Sequence, residues 1–206
     1  HKAGQFLPFK IKTNDPKYKD VIRTYSLSMF PNEDTYRISV KKIDGGLIST
    51  YLHENLNIGD SIEAMIPTGL FTIKNKNNDI VLISGGIGIT PLLSMLYEES
   101  SIRNNIHFIQ AVQNSNIHPF KKDIETIVKL RNIESTIFYS NPLDTDIEGI
   151  DYNYTGYVNK DFLENNINLN SDFYLCGPPL FMKAVENILI ELGVDNSKIN
   201  YELFSN

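Results

Sequence analysis

The sequence predicts a chain in two parts, a small antiparallel barrel or sandwich over residues 1–75 and a doubly wound α/β domain with a parallel sheet over residues 76–206. Three observations carry this reading. Up to residue 73 the apolar stretches are short and separated by turn residues, the pattern of an antiparallel all-β unit. From Asp79 onward strand patterns alternate with helix patterns, which implies a parallel sheet covered on both faces. Between them Lys74–Asn78 is a polar, Asn-rich joint, and the boundary falls there.

In the first part, Phe6–Ile11 and Val21–Met29 read as strands across a polar turn that holds Pro16. Tyr36–Ile43 alternates, with Tyr36, Ile38 and Val40 on one face and Arg37, Ser39 and Lys41 on the other, which predicts a half-buried antiparallel strand. Asp44–Gly45–Gly46 breaks it. Leu47, Ile48, Tyr51 and Leu52 then have the spacing of a short helix. Ser61–Ile66 reads as another strand, and Leu70–Ile73 as a last one after the Pro67–Gly69 turn.

The second part opens on DIVLISGGIGITP at Asp79–Pro91: an apolar strand, a glycine turn, and a helix with Pro91 in its first turn. Glycines let a backbone approach a ligand closely, and a helix start offers unpaired N–H groups to negative charge. Ile106–Val112, Ser135–Tyr139, Asp172–Cys176 and Ile199–Phe204 read as further strands; Pro119–Leu130, Asp161–Ile167 and Leu180–Leu192 read as helices. Ligands of such sheets bind beyond the carboxyl ends of the strands. Gly85–Gly88, Gln113–Asn114, Ser140–Asn141 and Cys176–Pro179 all fall at such ends, so four strand ends are expected to line one crevice.

Composition narrows the function. Hydrophobic residues make 41% of 206, enough for a core and against global disorder. A net charge of -6 argues against nucleic acid and anionic membrane surfaces as partners. The single cysteine, Cys176, excludes an intrachain disulfide and any multi-cysteine iron–sulfur or zinc site. His1, His53, His107 and His118 lack metal-ligand spacing, so no metal is expected, and His53 and His118 read as surface or capping residues. There is neither a spanning apolar run nor a signal-peptide pattern, so a cytoplasmic protein is expected.

The candidate site residues each have two readings. Arg23 and Tyr25 lie two apart and share a strand face: a phosphate grip beside a ring that covers a flat aromatic ligand, or an exposed arginine beside a core tyrosine. Gly45–Thr50 places two glycines and two hydroxyls at a helix start, which suits a diphosphate or an ordinary capped turn. Cys176 has no sequence partner for nucleophilic catalysis and reads better as a small group at a strand end beside a ligand.

Taken in order, the motifs GQF (Gly4–Phe6), RTYSLS (Arg23–Ser28), VKK (Val40–Lys42), GGLIS (Gly45–Ser49), PTGLF (Pro67–Phe71), GGIGITP (Gly85–Pro91), CGPPLFM (Cys176–Met182) and YELF (Tyr201–Phe204) resemble the ferredoxin–NADP reductase superfamily. The likeness is nearest to the FAD- and NAD-binding reductase part of flavohaemoglobins, the nitric oxide dioxygenases. The resemblance implies an all-β Greek-key FAD-binding barrel, N-terminally incomplete, ahead of the α/β domain. Only His1–Ala3 precede the GQF strand, too few to supply the family's first barrel strand, so a piece of a longer chain is expected.

The resemblance also implies roles. Arg23 would hold the FAD diphosphate, with Gly46 and Ser49 completing that site and Lys41 and Gly45 among the cofactor contacts. Tyr25 would pack against the isoalloxazine and Ser26 would hydrogen-bond near its N5. Gly85, Gly86, Gly88, Thr90 and Gln113 would receive the nicotinamide nucleotide, and Cys176, Gly177 and Pro178 would border the nicotinamide. Glu202 and Phe204 match the family's tail, where an aromatic ring shields the other flavin face. Tyr25, Ser26, Cys176, Glu202 and Phe204 are thus the expected catalytic set. Hydride would pass from NADH to FAD, and single electrons to a haem domain, in the same parent chain or separate, or to another acceptor. A stand-alone flavin or ferric reductase, or a non-catalytic docking module, are the competing readings. NADH is expected over NADPH because QNSN (Gln113–Asn116) and SNPLDTD (Ser140–Asp146) hold no arginine, and Asp144 and Asp146 would repel a 2′-phosphate.

Overall fold

The computed structural model describes residues 1–103 and 105–204. The first part contains a three-stranded antiparallel sheet in the order β2-β1-β3, with β1 at Phe6–Ile11, β2 at Ile22–Ser26 and β3 at Ile62–Ala64. β1 alternates as its sequence requires, with Leu7, Phe9 and Ile11 inward. Phe9 and Ile11 pack with Ile48 of helix α1 (Leu47–Glu54) and with Tyr25, Tyr51 and Leu52.

Two expected strands of this part do not form among the described residues. Tyr36–Ile43 contributes only an isolated bridge, Leu27 to Ile38. Its hydrogen-bonding groups go elsewhere: the Val40 carbonyl faces His53 Nε2 at 2.8 Å, and the Arg37 side chain turns back onto Ser28. Leu70–Ile73 is a turn, with Thr72 N–H donating to the Leu70 carbonyl at 2.9 Å. Leu70 faces solvent, whereas Phe71 drops into the core of the second part against Tyr174, ring centroids 6.0 Å apart. β2 is also shorter than its apolar pattern.

The second part is a six-stranded parallel sheet in the order β7-β6-β5-β4-β8-β9. Its strands are β4 (Ile80–Gly85), β5 (Ile106–Val112), β6 (Glu134–Tyr139), β7 (Tyr154–Thr155), β8 (Asp172–Cys176) and β9 (Ile199–Glu202). The helices are α2 (Ile89–Glu99), α3 (Lys121–Arg131), α4 (Lys160–Asn166) and α5 (Pro179–Glu191). β4 explains the two layers. Ile80 and Leu82 face a core built with α2 and α3, while Val81 and Ile83 face one built with α4 and α5. The chain leaves β4 toward β5, β6 and β7, then returns to place β8 on β4's other side, so the strand order reverses between β4 and β8. β7 went unread because two exposed residues make no pattern. β9 stops at Glu202, short of the expected Phe204. No helix among the described residues is long and apolar enough to cross a membrane.

At the reversal β4 passes into a 3-10 turn, Gly86–Gly88, that runs straight into α2. The start of α2 presses on the end of β8: a Cβ added at Gly88 would sit 2.3 Å from the Cys176 carbonyl oxygen and 2.5 Å from the Gly177 nitrogen. Both are backbone atoms that cannot swing aside. Gly88→Ala is therefore expected to destabilise the fold by about 1–3 kcal/mol through overpacking. Chemical denaturation checks this; a midpoint equal to the parent's would show that the seam yields.

Candidate active site

A cleft of about 810 Å³ lies beyond the carboxyl ends of the parallel strands. The four expected strand ends meet there: Gly85 and Gly86 from β4, Val112 and Gln113 from β5, Ser140 from β6, and Pro178 ahead of α5. Gly86 has φ +52° with nothing within 4 Å of where a Cβ would stand, so its backbone turns outward toward the open cleft. Lys41, exposed on the first part, also lines this cleft.

The other expected nucleotide residues stand behind the cleft wall. Gly88, Gly177 and Cys176 are buried where β4, β8 and α2 converge. The Thr90 hydroxyl is buried and donates back to the Ile87 carbonyl at 3.2 Å. Cys176 is wholly buried; burial, and then the Glu202 carboxylate, push its thiol pKa up, so it is a protonated group rather than a thiolate. Glu202 is Cys176's partner in the β8–β9 register, and burial raises its carboxyl pKa. Phe204 lies just past β9 and is 37% exposed, with no ring stacked on it among the described residues.

On the first part, Arg23 and Tyr25 share a face of β2 as expected. Arg23 is exposed, its Nη1 donating only to the Ile22 carbonyl at 2.9 Å. Tyr25 is half-buried and stacks on Phe9 with ring centroids 5.5 Å apart; burial raises its phenol pKa and the Arg23 charge opposes this. Ser26 is buried opposite Phe6. Gly45 and Gly46 lead into α1, whose start has no side-chain cap. Ser49 Oγ accepts from Ile43 N–H at 3.2 Å and braces this turn, and a Cβ on Gly46 would sit 2.5 Å from that oxygen. Among the described residues the Arg23 guanidinium meets no carboxylate, and Tyr25 shares one apolar cluster with the start of α1, whose amides lack a side-chain cap; such groups would fit a dinucleotide carrying a flat ring.

The cleft contains a network that the sequence did not show. His118, expected to be a surface or capping residue, is instead clamped in the cleft wall. Gln110 Nε2 donates to the Pro119 carbonyl at 2.9 Å, which turns its Oε1 toward His118 Nε2 at 2.8 Å. His118 Nε2 therefore donates, and Nδ1 accepts from the Tyr139 hydroxyl at 2.7 Å. Burial, helped by the Lys121 charge, lowers the His118 pKa to about 4. Burial, helped by Asp146 and Asp151, raises that of Tyr139 to about 12. Asp146, expected with Asp144 to repel a 2′-phosphate, accepts through Oδ2 from Leu143 N–H at 2.9 Å and Ser115 N–H at 3.3 Å, stapling two cleft loops. Tyr157, exposed and outside any periodic pattern, went unread; Leu180 and Phe181, expected only as part of the CGPPLFM motif and the helix that follows it, also line the cleft.

A small antiparallel sheet joined to a doubly wound sheet with a switch-point cleft is the frame of a two-part nucleotide-binding module. The chain belongs to the oxidoreductase family described by an NAD-binding domain, matched over residues 82–187, and an FAD-binding domain, matched over residues 1–73. It is 40% identical over 206 residues to the flavohemoprotein of Bacillus subtilis, covering 98% of this chain and 51% of that one. It is 37% identical over 210 residues to that of Rhizobium meliloti, covering 98% and 52%. The chain thus spans about half the length of the curated relatives it matches. Its structure superposes with TM-score 0.89 and 29% identity on the flavohem-like FAD/NAD-binding domain of a nitric oxide dioxygenase from Vibrio cholerae, covering 100% of this chain and 86% of that one. The chain is an FAD- and NAD-binding reductase module, homologous to flavohemoprotein reductase domains.

The His118 clamp has a pH signature. Its folded pKa of about 4 lies below the ordinary 6.5, so the folded state holds fewer protons than the unfolded one between these values. Its contribution to stability is complete above about pH 6.5 and is lost as pH falls toward 4. The stability advantage of the parent over His118→Gln should therefore shrink across that window. Denaturant titrations of both proteins at several pH values measure it; a constant difference would mean that the imidazole is not held neutral.

Proposed function

We propose that the chain takes hydride from NADH onto FAD and delivers electrons singly to a haem group, in a globin part of a longer protein or separate, or to another one-electron acceptor. One observation carries the reading: Lys41 of the first part stands in the wall of the second part's cleft, which supports a flavin and a nucleotide meeting where the two parts join. Hydride transfer needs this approach, and the protein's task is to position and shield rather than to move protons. Bound FAD supplies the redox chemistry, accepting electrons in pairs and giving them up one at a time.

In this reading residues 1–75 are a Greek-key FAD-binding barrel, supported by the Phe6–Thr68 and Leu27–Ile38 bridges at the edges of its sheet, and residues 76–206 are the NAD-binding domain. Arg23 and the α1 amides, with Gly45, Gly46 and Ser49, hold the FAD diphosphate. Tyr25 covers the flavin ring and Ser26 hydrogen-bonds its edge. Lys41, Gly85, Gly86, Gln113 and Pro178 receive the nicotinamide nucleotide, backed by Gly88, Thr90, Gly177 and Cys176. Glu202 and Phe204 close the site from the end of β9. The nucleotide is NADH: the loops after β5 and β6 offer no arginine to a 2′-phosphate, and Asp146 adds negative charge beside them.

Anaerobic rapid mixing of the FAD-loaded chain with either nucleotide tests this. The flavin's visible absorbance should bleach quickly with NADH and slowly with NADPH; no bleaching with either, FAD being bound, overturns the proposal. Arg23→Ala should weaken FAD binding about 10- to 100-fold, the worth of a charge-assisted phosphate contact. Fluorescence titration of free FAD measures it, and unchanged affinity would remove Arg23 from the site.

A further inference from the structure

The nucleotide cleft is braced from outside its own domain. Arg37, on the segment expected to be a strand, is half-buried and points into the second part. Its guanidinium lies 5.5 Å from the ring centroid of Phe120 and 5.9 Å from that of Tyr97 on α2. It is aimed there by Ser28, whose Oγ accepts from Arg37 Nε at 3.2 Å and whose carbonyl accepts from Nη2. Tyr97 in turn donates to Asp123 of α3 at 3.0 Å, so both rings belong to the α2–α3 layer. A second tie runs alongside, from Ser94 Oγ of α2 to the Met29 carbonyl at 2.7 Å.

Phe120 is an unusual residue for such a contact. It occupies the left-handed region, φ +59° and ψ +20°, as the residue preceding α3. A bulky side chain there costs about 1–2 kcal/mol and persists only where its surroundings hold it. Phe120 follows directly on His118 and Pro119, both in the cleft wall, whose imidazole and carbonyl are pinned to Gln110. The short segment 118–120 is thus fixed at its cleft end by Gln110 and Tyr139, and at its far end by a cation–π contact from the other part of the chain.

We infer that Arg37 is a positioning residue for the nicotinamide nucleotide: stacked on Phe120, it holds the left-handed turn that sets His118 and Pro119 in the cleft wall. It touches neither the cleft nor the proposed FAD contacts. This inference rests on the reading of the cleft as the nucleotide site.

The test is calorimetric titration of NAD⁺, which binds without turnover, into the FAD-loaded full chain. Parent, Arg37→Ala, Phe120→Leu, the double variant and Phe120→Tyr are compared. Phe120→Leu keeps an apolar side chain, of smaller volume, at the strained position and removes the π face. Arg37→Ala and Phe120→Leu should each weaken NAD⁺ binding about 3- to 10-fold, the range of one cation–π contact. The double variant should be no weaker than the worse single one, because both remove the same contact. Phe120→Tyr, which restores the ring face, should bind as the parent does. In steady state the loss should appear in KM for NADH with kcat and FAD content unchanged. Equal affinity in Arg37→Ala, or losses that multiply in the double variant, overturn the inference while leaving the cleft's role intact. Should Arg37→Ala fail to fold, the Phe120→Leu and Phe120→Tyr pair decides alone: equal binding by the two overturns it. Absence of NAD⁺ binding by the FAD-loaded parent takes down both the inference and the reading on which it rests.

Discussion

Where β4 and β8 end, three backbones meet in close contact, with the Phe181 ring packed against Gly85 and Gly177. Gly88 at the head of α2 lies on the Cys176–Gly177 peptide, and a Cβ on Gly177 would come within 3.0 Å of the Gly85 backbone. This contact lets α2 start directly on the sheet. It brings the Gly85–Gly86 turn to the cleft, beside the Phe181 side chain. It also accounts for the burial of Cys176, Gly177 and Thr90: they seal the seam, and the surface that a ligand meets is one layer further out. A close seam at a topological switch point is how open α/β sheets present backbone donors to a dinucleotide.

The two parts of the chain are joined by more than a linker. Ala3 and Phe71 of the first part are buried in the second part's core, and a Cβ at Gly4 would strike the Phe71 carbonyl and Met95. On the other side of the joint, the Tyr174 hydroxyl accepts from Lys74 N–H at 2.9 Å and Arg103 Nη1 donates to the Asn78 carbonyl. Arg103 also faces the buried carboxylate of Glu99, 2.6 Å away, at the end of α2. Burial raises that carboxyl's pKa, and the Arg103 guanidinium opposes the shift. Fixing the parts against each other suits a reaction that requires two cofactors to meet at short range.

The middle of the parallel sheet was legible because β4, β5 and β8 are buried on both faces and read as largely apolar runs; Ile106–Val112 and Asp172–Cys176 match the expected bounds to the residue. The glycine turn and the four strand ends were legible because turn residues and apolar runs alternate on a fixed rhythm. What escaped was decided by contacts distant in sequence. Tyr36–Ile43 alternates like a strand, but its carbonyls and its arginine found partners in His53 and Ser28. Phe71 left its expected strand for a core made by the other part. His118 reads in sequence as a surface or capping residue because Gln110 and Tyr139, which clamp it, sit on two different strands. Phe120 carries no sequence mark of its left-handed backbone, since such positions usually take glycine or asparagine.

The central claim is that the cleft at the carboxyl ends of β4, β5, β6 and β8 is where the nicotinamide nucleotide binds. Hydrogen–deuterium exchange of the FAD-loaded chain, with and without NAD⁺, tests it most directly. The account predicts slower exchange at Gly85–Ile89, Gln113–His118 and Ser140–Asn141. It predicts no change at the opposite end of the sheet around Asp79, His107 and Glu134. Protection confined to that opposite end, or to none of these segments while NAD⁺ is bound, would contradict it.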